Sequence, residues 1–252
     1  MNMSERYEQS YQSLSKSLPI HEIKEETMRL SKGFFQWTLE MKNKFLPNIP
    51  IQELKVLELG GGIGGVGLHL LEMGADVTLV DVSSTALELA KELATFAPDR
   101  FHTLKADLSL PYQNNKEYDL IIDSHLFHCL TKEVDRISFL TNVKESLSPK
   151  GIMVGESMCF KKKLYLPPGY ELGEDKILRQ KLNEWIDLRK VADSLDIEDE
   201  FKAIPFQILF FYYYHNYSFI PSRDFISVPS DFLPASVRYA LSLNKIQENS
   251  PF

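Results

Sequence analysis

Five glycines, at positions 60, 61, 62, 64 and 65, stand between two carboxylates, Glu58 and Asp81. A turn this bare lets the backbone bend left-handed and lets a ligand approach the main chain. A helix starting on its far side points free N–H groups at polar or anionic atoms. An acid that closes the next apolar run can accept hydrogen bonds from both hydroxyls of a ribose. The grouping therefore reads as a nucleoside site. Asp107 repeats the pattern where a third apolar run ends, although an Asp before Leu-Ser also suits a turn or a helix cap. A second concentration of chemistry lies in DSHLFHC, from Asp123 to Cys129. Imidazoles titrate near neutrality, so His125 and His128 can take a proton from a reacting group, and His128 equally suits a structural role. Asp123, His125, His128 and Cys129 also have the types of metal ligands. Adjacent positions 128 and 129 would point to different faces of a helix, however, and no second cluster completes the set, so no metal is expected.

These groups need a frame. Lys55 to Leu59 has the apolar character of a buried parallel strand, Val66 to Met73 reads as a short helix stopped by Gly74, and Val77 to Val80 is a β-branched strand ending in Asp81. Thr85-x-x-Glu88 is a capping-box pattern for a helix reaching Ala97, closed by Pro98. Phe101 to Ala106 is a third strand leading to Asp107, and Tyr118 to Asp123 a fourth that runs into the histidines. Thr131 opens a helix whose inward stripe is Val134, Ile137, Leu140, Val143 and Leu147. Ile152 to Cys159 is a fifth strand carrying Glu156 and Ser157.

Gly60-x-Gly62-x-x-Gly65 satisfies the dinucleotide fingerprint, and GGGIGG would suit a flavin-binding unit as well. Glu58 argues for a different ligand. A carboxylate two positions before the first glycine would oppose a pyrophosphate, whereas a cofactor bearing an amine and a sulfonium cation would be favoured. Glu58-x-Gly60-x-Gly62-x-Gly64 with Asp81 downstream resembles the first two motifs of the class I S-adenosylmethionine (SAM) dependent methyltransferases. Leu147 to Gly151, LSPKG, resembles that family's Leu-Lys-Pro-Gly-Gly turn, and the likeness covers about residues 54 to 160.

The resemblance implies an α/β fold: a Rossmann-like, doubly wound, mostly parallel seven-stranded sheet with helices on both faces and a C-terminal antiparallel hairpin. It implies SAM as cofactor, with Glu58 on the ammonium of the methionine moiety and Gly60, Gly62 and Gly64 beside that moiety. Asp81 and Val82 would hold the ribose, Asp107 and Leu108 the adenine, and Asp123 and Ser124 would complete the cofactor site. The fourth strand of such a fold ends beside the reactive methyl group, which makes Asp123, His125 and His128 the catalytic candidates. The implied reaction is methyl transfer to nitrogen or oxygen of a small molecule. A protein methyltransferase, a flavin or nicotinamide oxidoreductase, and a SAM-binding module without turnover stay open as alternatives.

Substrate choice would sit at the two ends of the chain. Residues 1 to 21 are polar, carry Tyr7 and Tyr11, and can form one short helix; Glu22 to Phe45 has a broad apolar face and stops before Pro47 and Pro50. Residues 1–50 are thus expected to be a helical cap on a domain spanning 51–252. That domain is interrupted at about 161–196 by a loop containing Pro167, Pro168 and Gly169 and by a charged helix over Lys176 to Leu195. Ile204 to Ile220 and Val237 to Ile246 read as closing strands, and the aromatic run Phe210 to Tyr214 suits a sheet core or a subunit interface. A homodimer stays open.

Across 252 residues the net charge is −7. That balance argues against a nucleic-acid partner, and Lys161 to Lys163, the one tight basic run, suits a solvated loop. The longest apolar run, Ile208 to Tyr214, is too short to span a bilayer, and Met1 to Ser10 has no signal-like apolar core. No membrane partner and a cytoplasmic location are expected. Two cysteines, Cys129 and Cys159, make no disulfide framework.

Overall fold

A computed structural model describes residues 3–112, 116–160, 164–166, 168–214 and 235–244. Its centre is β1, Lys55–Leu59, which pairs in parallel with β2, Asp76–Asp81, on one side and with β4, Tyr118–Asp123, on the other. Beyond β2 lies β3, Phe101–Lys105, and beyond β4 lies β5, Leu147–Phe160, both parallel to their neighbours. β10, Gln207–Tyr214, and β11, Ala235–Ser242, close the sheet, β11 running antiparallel to both β5 and β10. The order β10-β11-β5-β4-β1-β2-β3 is the mostly parallel, doubly wound sheet that the sequence implies. Two-residue β9, Ala192–Asp193, adds to the end of β5. The chain leaves β1 towards β2 and later returns on the other side at β4. In such sheets a crevice opens at that point of reversal, beyond the carboxyl ends of the strands.

Side-chain alternation divides the core into two layers. Val56, Val77, Leu79, Leu120 and Ile122 pack on one face with α2, Ile20–Phe45, α3, Gly65–Glu72, and α4, Ser84–Leu93. Leu57, Leu59, Val80 and Ile121 pack on the other with α5, Glu133–Ser146, and α6, Ser194–Lys202. Ahead of α2, separated by Pro19, runs α1, Met3–Ser17. Among the described residues no helix is long and apolar enough to cross a membrane.

Several local expectations are corrected. Lys176 to Leu195 is not helical: β7, Ile177–Lys181, and β8, Trp185–Lys190, join β6, Tyr170–Leu172, in a separate three-stranded antiparallel sheet. The charges that suggest a helix are instead cross-strand partners, since Arg179 faces Asp187 in register and binds it at 2.7 Å. Leu178 on the inner face packs with Met158, Phe160, Leu164 and Val191. The cap of α4 is Ser83, whose Oγ accepts the Ala86 N–H at 3.1 Å, not Thr85, and that helix stops at Leu93. On α5, Val134 and Ile137 face solvent, at 67% and 52% exposure, because the inward face carries Arg136, Phe139, Leu140 and Val143 instead. β10 begins at Gln207 rather than Ile204, and β11 begins at Ala235 and ends at Ser242 rather than running from Val237 past Leu243. Lys161 to Lys163, Pro167 and residues 215–220 lie outside the described residues.

Candidate active site

Where β1, β2 and β4 end, a cavity of about 1020 Å³ opens. That lies at the top of the ~300–1,000 Å³ range of small-molecule pockets, enough for two ligands side by side. Gly60, Asp81, Val82, Asp107 and Leu108 line it on the β1–β3 side, and Ser124, His125 and His128 line it on the β4 side. Gly60 sits at φ +63, and a Cβ there would come within 2.6 Å of Leu126 Cβ, so the turn accepts glycine alone. Asp81 is 8% exposed. Its Oδ1 accepts the Ser83 N–H and its Oδ2 the Gly62 N–H, both at 2.9 Å, which fixes the carboxylate towards the cavity and ties the glycine turn to β2. Burial pushes the Asp81 carboxyl above the usual aspartate range, opposed by those backbone N–H groups. Asp107 holds the Ser109 N–H at 3.0 Å and hydroxyl at 2.7 Å, so the turn role and the cavity position coincide in one residue.

Glu58, Gly62, Gly64 and Asp123 are not among the cavity-lining residues. Glu58 differs most from expectation. Its position in β1 puts it on the Val56 face, under α3, where it is 1% exposed. One oxygen accepts the Gly67 N–H at 2.8 Å; the other accepts the Val66 N–H at 3.3 Å and the Ser124 hydroxyl at 2.7 Å. It therefore caps the start of α3 and, outside the cavity lining itself, ties β1 to the helix and to Ser124. Gly67 was the missed signal, since a Cβ there would lie 2.5 Å from Glu58 Oε2. Burial raises the Glu58 carboxyl to about 7, against the lowering effect of the Ser124, Gly67 and Val66 donors. Asp123 is likewise enclosed. It accepts the Leu126 and Phe127 N–H groups at 2.7 and 3.1 Å and the Tyr239 hydroxyl of β11, and burial raises it to about 6. It positions the turn that bears the histidines.

His125 adopts φ 68, a left-handed conformation uncommon outside glycine and often found where function holds a residue in place. Its ring lies 5.5 Å from Phe34 and 6.0 Å from His128. His128 is 1% exposed and its Nδ1 accepts the Met158 N–H at 3.2 Å, which leaves the proton on Nε2. Burial lowers the pKa of both imidazoles, so both are neutral bases at neutral pH. Cys129 bonds the His125 carbonyl and the Tyr7 hydroxyl, each at 3.3 Å, and no metal-holding group of three or more His, Cys, Asp or Glu occurs among the described residues.

The sequence places α1 within a helical cap over residues 1–50 but names no contact for it. In the structure Tyr7 and Tyr11 line the cavity, and Tyr11 lies over the glycine turn, its hydroxyl 2.0 Å from where a Gly62 Cβ would be. Glu8 reaches across to the start of α4, taking the Ser83 hydroxyl at 2.7 Å and the Thr85 hydroxyl at 2.5 Å; those donors lower its carboxyl to about 2. The i, i+4 spacing of the tyrosines was the available sign of a one-sided helix. Arg189, on β8, also lines the cavity, and no motif marks it.

Residues 57–153 match the family model described as "Methyltransferase domain". A ubiquinone biosynthesis O-methyltransferase of Rickettsia bellii is 29% identical over 119 residues, 46% of this chain and 47% of that protein. The chain spans about half the length of that curated relative. Among solved structures, the CcbJ methyltransferase from Streptomyces caelestis superimposes with a TM-score of 0.54 at 15% identity, over 77% of this chain and 86% of its own. The glycopeptide N-methyltransferase MtfA complexed with sinefungin gives 0.54 at 18% identity, over 83% and 94%. At such identities these two show the shared fold. The family match falls on the strands and turns that build the cavity: residues 57–153 resemble a methyltransferase domain, set on the Rossmann-like fold that these methyltransferase structures share.

Proposed function

We propose that the chain transfers the methyl group of SAM to nitrogen or oxygen of a small-molecule acceptor. The observation that carries this is a single cavity joining Asp81 and Asp107, at the ends of β2 and β3, to His125 and His128, at the end of β4. The residues present fit the cofactor. The Asp81 carboxylate accepts the Ser83 and Gly62 N–H groups, with the Val82 N–H beside them, and has lone pairs left for a ribose hydroxyl. Gly60 and Gly61 offer backbone to the methionine part, and Asp107 with Leu108 borders the place of the adenine. SAM supplies an electrophilic methyl group on a sulfonium. Catalysis by the chain is then chiefly alignment of donor and acceptor away from water. Tyr7 and Tyr11 cover the cavity, in keeping with residues 1–50 as a cap.

His125, neutral and facing the cavity, takes the proton from the acceptor at one of its ring nitrogens, with His128 packed behind it and Asp123 holding their turn. Free Cys129 and Cys159 suit a reducing, cytoplasmic setting, and the net charge of −7 suits a partner other than nucleic acid. Incubating the protein with SAM and a metabolite extract tests the reading. S-adenosylhomocysteine should accumulate only with extract present, alongside a product heavier by one methylene; accumulation with neither acceptor nor extract effect would overturn it.

A further inference from the structure

The inserted sheet contributes a cation to the cavity. Arg189 lies on β8, which packs against the 3-10 turn Phe127–Cys129, and its side chain lines the cavity together with Tyr7, His125 and His128. Its Nε is buried and has no hydrogen-bond partner among the described residues. Nearby cations are matched with carboxylates: Arg179 with Asp175 and Asp187, Arg136 with Glu200, and Arg238 with Glu156. Arg189 forms no such pair among the described residues. The Cys129 thiol meets the guanidinium, but burial keeps that thiol protonated, and it offers no countercharge. Arg189 is partly exposed, its guanidinium cannot shed its proton, and its buried Nε–H goes unmatched among the described residues unless a ligand in the cavity supplies an acceptor, best an anion.

We propose that Arg189 binds a carboxylate or phosphate on the methyl acceptor, so that the substrate is an anionic small molecule whose nucleophile is presented to His125. This rests on the methyltransferase reading and narrows its substrate class. The planar fork of arginine matches both anions through paired N–H···O bonds. The methionine carboxylate of the cofactor has the same chemistry, and position separates the two. The charge of Arg189 acts on Tyr7, His125, His128 and Cys129, whereas Tyr11, over the glycine turn, feels Asp81, Cys129 and Glu58. Arg189 thus stands on the histidine side. The acids on the same wall do not converge on a cation site: Asp187 is bound to Arg179, Glu184 is exposed, Asp135 stands in the first turn of α5, and no group of three metal-holding side chains occurs among the described residues. Tyr7 and Trp185 in the lining suit a ring on the acceptor.

The test is calorimetric titration of the whole chain, preloaded with S-adenosylhomocysteine, using benzoate, phenyl phosphate, benzylamine and benzyl alcohol as probes. One of the two anions should bind about tenfold or more tightly than the amine and the alcohol. Arg189→Gln should lose about that factor for the anion while keeping its S-adenosylhomocysteine affinity within about twofold, and Arg189→Lys should retain part of the anion binding. Three results would overturn the assignment: tighter binding of benzylamine, binding of neither anion, or an unchanged anion affinity in a folded Arg189→Gln. A tenfold loss of S-adenosylhomocysteine affinity in that variant would also overturn it, moving Arg189 to the cofactor. Failure of the wild-type chain to take up S-adenosylhomocysteine would instead defeat the methyltransferase reading on which it rests.

Discussion

Three carboxylates stand at or one residue before the ends of three neighbouring strands and do three different things. Asp81 faces the cavity, Glu58 caps α3, and Asp123 pins the histidine turn to β11. Their places at strand ends were legible, because apolar runs ending in an acid mark where a parallel sheet meets its ligand. Their directions were not, since period-two alternation puts Glu58 on the α3 face only once the register of β1 is known. Asp81→Ala should weaken S-adenosylhomocysteine binding by about 1–3 kcal/mol, the value of hydrogen bonds to a charged group, which calorimetry would resolve. Glu58→Gln addresses stability. A buried acid raised from 4.5 to about 7 favours the protonated folded state, so its contribution is complete below pH 4.5 and is lost as pH rises towards 7. Urea unfolding of the ligand-free protein should therefore show stability falling over that window by on the order of 2–3 kcal/mol from this group. Glu58→Gln should lack that part of the fall, and an identical pH profile in both proteins would contradict the placement. For His125, burial moves the base below its usual 6.5, so the acid limb of kcat/KM should lie below pH 6.5 and should be absent from His125→Gln, which keeps residual turnover.

At the scale of elements, the glycine turn, α3 and β1 to β5 were readable because local sequence decides them: apolar runs, a bare turn and a helix stop. The insert was not. Its alternating charges satisfy helical i, i+4 spacing as well as cross-strand register, and pairing across a sheet is invisible until the partner strand is placed. How α1 is fastened as part of the expected cap was hidden for the same reason, since the contact of Glu8 with Ser83 and Thr85 spans 75 residues or more. That contact fastens the cap. Glu8→Ala should leave the sheet intact but loosen α1, increasing the dissociation rate of S-adenosylhomocysteine several-fold in stopped-flow measurements. An unchanged rate would mean that α1 does not gate the site.

For the molecule as a whole, the sheet order places the reversal between β1 and β4 under the cavity, so one crevice receives the ends of the central strands, the α1 tyrosines and the β8 arginine. The 57–153 region supplies both the wall at the ends of β1 to β3 and the wall that bears His125 and His128, and the parts outside it, α1 and the inserted sheet, supply the rest. The account depends on that crevice being a SAM site. Titration of the full chain with S-adenosylhomocysteine, beside NADH as a comparison, tests this most directly. The account predicts saturable one-to-one binding of S-adenosylhomocysteine that is weakened in Asp81→Ala, and no binding of NADH; saturable NADH binding with none for S-adenosylhomocysteine would contradict it.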